Sequence, residues 1–581
     1  VSSASAWQDV LFIALLALLT KPVGAYLARV FSGERTWLDK ALRPVERVIY
    51  RAAGIDAHRD MSWREYAAAF VIFSAAGAIV LYALLRLQSW MPGFDSAPLT
   101  TPLSPDLAAN TAISFATTTT WQAYAGETTM SYFSQIVGLA AQNFLAGAAG
   151  LAVGIAFVRG LARERAEGLG NFWVDLVRGT LWVLLPISLA GGVALLWQGV
   201  PMNVLPYTHV GTLEGSTQVI GQGPVAALEF IKNLGTNGGG FFNVNAAHPF
   251  ETPTPLANLI SLLAITVLPA GLTYTYGRMV GNTRQGWMLF WSMAVMFTAG
   301  LAAAESAERG GNPLITRATS ASSTASDVDA GGNMEGKEVR FGIGGSVLAA
   351  VTTSNGATGS YNAMHDSFMP LGGAVPLVNM LLGEVIFGGL GTGLYSILEI
   401  ALLGLFITGL MIGRTPSFLG KRLGPGEVKL ILLYALCAPV VILMLTAVAV
   451  TTSAGIAGLT TNVGAHGFTE ILFAYASSFA NNGQSFAGLS ANSPFYNVTT
   501  ALAMMAGRFL LAISALALGG RLASAPRLSS EGSVPTDTIL FGAVLIGTTV
   551  VVGALTFLPA LALGPLAEHV GMMPTLLPVT R

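Results

Sequence analysis

The stretch FIKNLGTNGGGFFNVN, Phe230 to Asn245, sets three consecutive glycines, Gly238, Gly239 and Gly240, directly behind a short apolar segment. Glycine beside Asn and Thr exposes backbone to a small ion, offering N–H groups to an anion or carbonyls to a cation. A phosphate cradle places its glycines before a helix N-terminus and closes on Gly-Lys-Ser/Thr. Here the glycines follow the apolar segment and the loop carries no lysine, so the carbonyl oxygens are the groups on offer. The arrangement occurs four times. The segments DLAANTAISFAT (106–117), PVAALEFIKNL (224–234), FGIGGSVLAAVT (341–352) and GFTEILFAYASSFA (467–480) are too short to span a bilayer. Each precedes a polar run: TTTWQ (118–122), GTNGGG (235–240), TSNGATG (353–359) and NNGQS (481–485). The runs recur at intervals of roughly 120 residues, which indicates an internal repeat.

Irregular backbone at membrane depth persists only where protein buries it or it lines a wet cavity. Four such segments meeting on one axis satisfy one another, and their carbonyls can replace the hydration shell of a cation. Glycine accepts the dihedrals that turn successive carbonyls inward. The preceding half-helix directs its partially negative C-terminus at the same point. The copies are unequal. Where three carry glycine the first has Trp121-Gln122, so the ring is pseudo-fourfold with a side chain such as Gln122 near the axis. In the third copy periodicity leaves two triplets open, Ser354-Asn355-Gly356 and Ala357-Thr358-Gly359.

The elements that must hold these loops are membrane helices. Of 581 residues 53% are hydrophobic and 10% charged, whereas soluble domains carry about 25% charged residues. The formal charge of -1 gives no excess for nucleic acid. Cys437 is the sole cysteine and reads as a small core residue, so no intrachain disulfide or CxxC metal site exists. Apolar runs near 7–29, 66–90, 130–158, 179–198, 256–277, 286–304, 375–413, 428–451, 496–520 and 537–563 predict about ten crossings. The first lacks a basic n-region and a cleavage site and reads as a retained span. Basic residues cluster on every second connection, from Arg29 to Arg64, then Arg159 to Arg178, Arg278 and Arg284, Arg414 to Lys429, and Arg521 with Arg527. The positive-inside rule makes that face cytoplasmic and puts both termini outside. The expected fold is an all-α polytopic membrane protein: four pseudo-symmetric helix–pore-loop–helix repeats plus one extra helix at each end. Its divisions are 1–65 (extra helix and basic loop), 66–178, 179–285, 286–427 and 428–530 (repeats), and 531–581 (extra helix).

Charges near membrane depth are costly and mark function. Glu384 precedes VIFGGLGTGLY (385–395), whose glycines Gly388, Gly389, Gly391 and Gly393 break the seventh crossing beneath the ring and suit a gate; Arg508 is the second such charge. Glu229 and Lys232 lie three apart and pair across a helical turn. Glu399 has no evident partner. His365 and Asp366, in AMHDSF, read as structural residues of an exterior loop. The stretch 308–338 is Gly/Ser/Thr-rich.

Several longer runs carry a resemblance: LGTNGGGFFNVNAAHPFETPT (234–254), NMEGKEVRFG (333–342), AMHDSF (363–368), GEVIFGGLGTGLY (383–395), LMIGRTPSFLGK (410–421) and FAGLSANSPFYN (486–497). The chain resembles the potassium-translocating A subunits of the bacterial Kdp potassium-transporting ATPases, in the superfamily of Trk, Ktr and plant high-affinity potassium transporters. The resemblance implies one potassium filter facing the periplasm. Its walls are Thr118, Thr119, Thr120 and Gln122; Thr236, Asn237 and Gly238; Ala357, Thr358 and Gly359; and Asn481, Asn482 and Gly483. The third wall reads ATGSY where the family more usually has Ser-x-Gly-Ala-Val. The interrupted helix at Glu384 to Tyr395 corresponds to the family's gate, and Arg414 and Arg508 match basic positions of that region.

The implied partners are a P-type ATPase subunit, a small single-span subunit and a C subunit, in lipid of a bacterial inner membrane. Potassium would be passed sideways to the ATPase chain. No cofactor is expected. The chain holds no Asp-Lys-Thr-Gly motif or Walker A loop, so hydrolysis falls to a partner. The alternative reading is a stand-alone Trk/Ktr-type transporter. An intramembrane enzyme lacks paired carboxylates, zinc-type histidine spacing or a nucleophile elbow.

Overall fold

Helices beginning at Ser-Pro or Thr-Pro recur along the chain. Ser104, Thr254 and Ser493 each accept the N–H three residues on, while the proline behind each takes the first helical turn, where it forfeits no hydrogen bond. The computed structural model describes residues 3–91, 99–315, 332–413, 416–527 and 534–572. Helices α1 (Ser3–Ser32), α2 (Asp39–Ala53), α3 (Trp63–Arg86), α4 (Pro105–Ala116) and α5 (Ser134–Ala162) open the chain. They are followed by α6 (Phe172–Trp197), α7 (Val225–Leu234), α8 (Pro255–Met279) and α9 (Thr283–Arg309). Next come α10 (Gly342–Asn355), α11 (Pro370–Leu381), α12 (Thr392–Ile412) and α13 (Pro425–Thr451). The last are α14 (Gly464–Ala480), α15 (Pro494–Ser524), α16 (Ile539–Leu561) and α17 (Ala567–Met572). Among the described residues ten helices are long and apolar enough to cross a membrane. A hairpin, β1 (Thr208–Gly211) against β2 (Thr217–Ile220), pairs Thr208 with Ile220.

Most spans sort into an inner and an outer set by burial, with α9, 56% buried, between them. The most apolar stretches of α5, α8, α12 and α15 are 83%, 72%, 61% and 67% buried, against 28%, 33% and 22% for α3, α6 and α13. The inner four pack on one another, and each of the half-helices α4, α7, α10 and α14 packs against its own flanking spans. Close approach of the inner helices needs small residues. A methyl on Gly160 of α5 would sit 2.5 Å from the Gly519 carbonyl of α15. The outermost helices are add-ons: α1 packs on α8, and α16 on α9 and α12.

The seventh crossing is divided. Helix α11 has 12 residues, too few to span. Residues 382–391 are unwound, with positive φ at Gly383, Glu384, Phe387 and Gly391, and α12 then restarts. The basic connections share one face, tied together by Arg163 to Asp60, Arg178 to Glu46, Arg521 to Glu427, and Arg527 to the Ala162 carbonyl. The half-helices start from the other face, where Gln8 of α1 lies against Gly345 and Glu568 of α17 meets His466. Arg414 and the 316–331 part of the Gly/Ser/Thr-rich stretch lie outside the described residues.

Candidate functional site

Each half-helix ends in the same way. Thr118, Thr236, Ala357 and Asn481 take left-handed φ values of 64°, 49°, 49° and 57°. The next residue's N–H then returns to a carbonyl five residues back: Thr119 to Ser114, Asn237 to Lys232, Thr358 to Thr353 and Asn482 to Ser477, at 2.9–3.1 Å. This is the Schellman ending. Non-glycine residues in that conformation cost about 1–2 kcal/mol apiece, and the chain bears it four times. The common ending sets the register. In the third copy Ser354 and Asn355 belong to α10, so Ala357-Thr358-Gly359 is the triplet that aligns with the other three. In the first copy Thr120, φ 48°, stands where the others carry Gly238, Gly359 and Gly483. Trp121-Gln122, expected at the glycine position, lies beyond it, because the register follows the helix end rather than the first glycine-like break.

The four triplets close a ring in chain order. The Thr120 hydroxyl donates to the Asn237 carbonyl. A methyl on Gly238 would lie 2.1 Å from Gly359 N, one on Gly359 2.9 Å from Gly483 C, and one on Gly483 2.1 Å from the Thr119 carbonyl. Asn481 Nδ2 also donates to Thr119 Oγ1 at 2.9 Å. All twelve residues except the half-exposed Gly483 are buried. The carbonyls of Asn237 and Thr358 accept hydrogen bonds from the hydroxyls of Thr120 and Thr353. No other triplet carbonyl accepts one from a described residue. Buried carbonyls are almost always paired, and this many partnerless ones in one ring call for water or a cation.

Outside the ring a vestibule of about 770 Å³ is lined by Gln122, Asn243, Tyr361, His365 and Ser485 among others. Gln122 braces its rim: Oε1 accepts from Gly240 N at 2.8 Å, and Nε2 donates to the Tyr124 hydroxyl and the Gly240 carbonyl. Burial, with the Lys337 ammonium adding to it, pushes the His365 imidazole down to about 3, so the ring is neutral.

On the inner side the first residues of all four triplets line a small cavity closed by Gly389, Leu390 and Arg508. Leu390 N donates to Thr236 Oγ1 at 2.8 Å, fastening the unwound segment to the second wall. A methyl on Gly389 would come within 2.8 Å of Ala357 Cβ. Gly388 and Gly393 touch backbone to backbone, and Gly391 seats against Gly150 and Gly154 of α5. Arg508 donates to Thr118 Oγ1 at 3.0 Å and to the Ala146 carbonyl at 2.9 Å, and its guanidinium lies over Phe70. Glu384 instead accepts from Asn482 Nδ2 at 2.7 Å. The two charges thus brace two adjacent walls, the first and the fourth, rather than each other. A second, narrow cavity, about 80 Å³ and mostly apolar, runs from Asn481 and Glu384 past Glu399 and Tyr434 to Thr549 and Phe557. Among the described residues neither carboxylate oxygen of Glu399 has a hydrogen-bond partner.

Behind the second wall the sequence showed only half of a network. Lys232 meets Glu229 at 2.5 Å, and also Glu251 and Asn245. Glu251 returns to the wall by accepting from Phe242 N at 2.9 Å. The third copy has a counterpart in Glu308, which meets Lys337 at 2.7 Å and accepts from Asn333 and from Met369 N. Glu251 and Glu308 lie outside the half-helices, so spacing along a helix does not find them.

A fourfold ring of re-entrant loops held by paired membrane helices is the architecture of a channel-like cation transporter. A family model described as "Potassium-transporting ATPase A subunit" matches residues 10–570. A potassium-transporting ATPase potassium-binding subunit of Koribacter versatilis is 48% identical over 98% of this chain and 99% of its own length. Those of Methylobacterium nodulans and Solibacter usitatus are each 51% identical over 97% of this chain, and over 96% and 97% of their own. The potassium transporter TrkH of Vibrio parahaemolyticus superposes with a TM-score of 0.49 at 13% identity, over 88% of this chain and 97% of its own. The chain belongs to the family of potassium-transporting ATPase A subunits.

Proposed function

We propose that the ring is a potassium filter and that this chain is the potassium-binding subunit of an ATP-driven uptake complex, with hydrolysis on a partner. The observation that carries it is the buried ring of carbonyls lacking donors. A dehydrated cation entering it regains the oxygen ligands that water gave up, and four helix C-termini add favourable potential. Thr118 to Thr120, Thr236 to Gly238, Ala357 to Gly359 and Asn481 to Gly483 are the ligating walls, with Gln122 bracing the mouth.

Below the ring, Leu390 and the Arg508 guanidinium oppose straight passage. At an effective dielectric of 20, a unit charge 4 Å away opposes a cation by about 4 kcal/mol. The lateral cavity under Asn481 and Glu384 supports a sideways exit, with the glycines 388 to 393 as the gate. It ends among the outer helices α13 and α16, where a P-type ATPase subunit would receive the ion. A small single-span subunit and a C subunit complete the complex. The basic face is cytoplasmic and the vestibule periplasmic, in the inner membrane.

The test is purification. A larger ATPase chain should copurify, and vanadate-sensitive, potassium-stimulated hydrolysis should appear only in the complex. Potassium uptake by this chain alone in liposomes, with no ATPase partner, would refute the reading.

A further inference from the structure

Beside the vestibule, on the face from which the half-helices start, three chain segments meet around one imidazole. His466 lies in the first turn of α14, two residues from its N-terminus at Gly464. Its Nε2 is 2.9 Å from Asp366 Oδ1 and 4.0 Å from Glu470 Oε1. Its Nδ1 is 2.8 Å from Glu568 Oε1 of α17. Asn462 Nδ2 donates to Asp366 Oδ2 at 3.2 Å and to Glu470 Oε1 at 2.9 Å. Glu470 is fully buried, and among the described residues its second oxygen, Oε2, has no hydrogen-bond partner.

Three carboxylates thus surround a group that carries at most one positive charge. Like charges at this separation, with little water between them, are unfavourable unless a cation joins them. The donor set is one imidazole nitrogen and two carboxylates, and one ligand atom from each lies within 4.8 Å of the others. In a tetrahedral zinc site, bonds of 2.0–2.2 Å put ligand atoms about 3.4 Å apart. The separations from Nε2 bracket that value, so modest side-chain adjustment closes the shell. Glu568 stands where an outer carboxylate belongs: by accepting from Nδ1–H it fixes the tautomer that leaves the Nε2 lone pair for the metal. An all-oxygen shell suits calcium or magnesium, whereas imidazole with carboxylates selects zinc or a related transition ion.

We infer that Asp366, His466 and Glu470 form an exterior site for a divalent transition cation of the zinc class, oriented by Glu568, with water completing the shell. The site joins the third-copy loop after its triplet, the start of the fourth half-helix and the C-terminal helix. His466 also stacks on Phe486, three residues past Gly483, at 5.9 Å, so an ion there stiffens the approach to the fourth wall.

The experiment takes the full chain in its membrane complex, stripped with EDTA and dialysed into metal-free potassium buffer, then titrated with zinc chloride by calorimetry. One zinc per chain is expected. Co2+ in place of zinc should give the visible d–d bands of a four-coordinate N/O site. His466→Gln and Asp366→Asn should each lose binding. Glu568→Gln keeps every ligand and should weaken binding by about 10–100-fold. Should His466→Gln fail to assemble, Asp366→Asn and the Co2+ spectrum of the parent still decide. Absence of zinc binding by the parent overturns the site, as it would if a proton joins the carboxylates. Parent-like affinity in Asp366→Asn or His466→Gln overturns it equally.

Discussion

Gly238→Ala isolates the ring's geometry from backbone strain. Gly238 has φ 89° and Gly239 has φ 75°, so alanine at either position pays for a left-handed conformation, about 1–2 kcal/mol. The surroundings differ. At Gly239 the new methyl meets only side-chain atoms, at 3.3–3.4 Å. At Gly238 it meets the backbone N, Cα and C of Gly359 at 2.1, 2.5 and 2.9 Å. That overlap is relieved only by displacing the third wall by about 1 Å, and overpacking of this kind costs about 1–3 kcal/mol. The displaced wall carries the carbonyls that would hold the ion, so most of that cost falls on the bound state. At 1.4 kcal/mol per tenfold, Gly238→Ala should weaken potassium binding by about 10–100-fold, with Gly239→Ala within about threefold of the parent. Calorimetric titration of the purified complex with potassium and with sodium gives both affinity and discrimination. Equal, small losses in the two variants would refute a ring whose walls touch through Gly238 and Gly359.

Three further outcomes follow from the same geometry. Thr236→Val removes the acceptor of the Leu390 N–H and leaves that donor buried, at about 1–3 kcal/mol; rubidium flux into proteoliposomes should show leak without ATP, and a tight variant would detach Thr236 from the gate. Arg508→Gln removes the buried guanidinium at the inner cavity and should raise passive rubidium flux several-fold, while unchanged flux would deny it a blocking role. Lys232→Met strands Glu229 and Glu251 in a dry interior and should cost about 3–5 kcal/mol, read as a lowered unfolding midpoint in detergent. Adding Glu229→Gln and Glu251→Gln to it should restore much of the midpoint, and no restoration would mean that the uncompensated charges were not the cause.

What the sequence alone determined was everything encoded within one helical length. Apolar runs and basic loops gave the ten crossings and their alternation, because transfer into lipid depends on composition over about 20 residues. The four short helices followed by polar runs, the break expected over Glu384 to Tyr395 and found over 382–391, and the Glu229–Lys232 pair were legible for the same reason: each is a local pattern of period, glycine or charge. Tertiary structure decided what no helical period or local run of residues encodes. The third triplet was ambiguous by spacing and is aligned by the shared return of an N–H to the carbonyl five residues back. Trp121-Gln122 gave way to Thr120 for that same reason. Glu251 behind Lys232, Leu390 on Thr236, the separate duties of Glu384 and Arg508, and the meeting of Asp366 with His466 leave no periodic trace. Such contacts form only when the half-helices pack around one centre, and a single sequence records their composition without recording their neighbours.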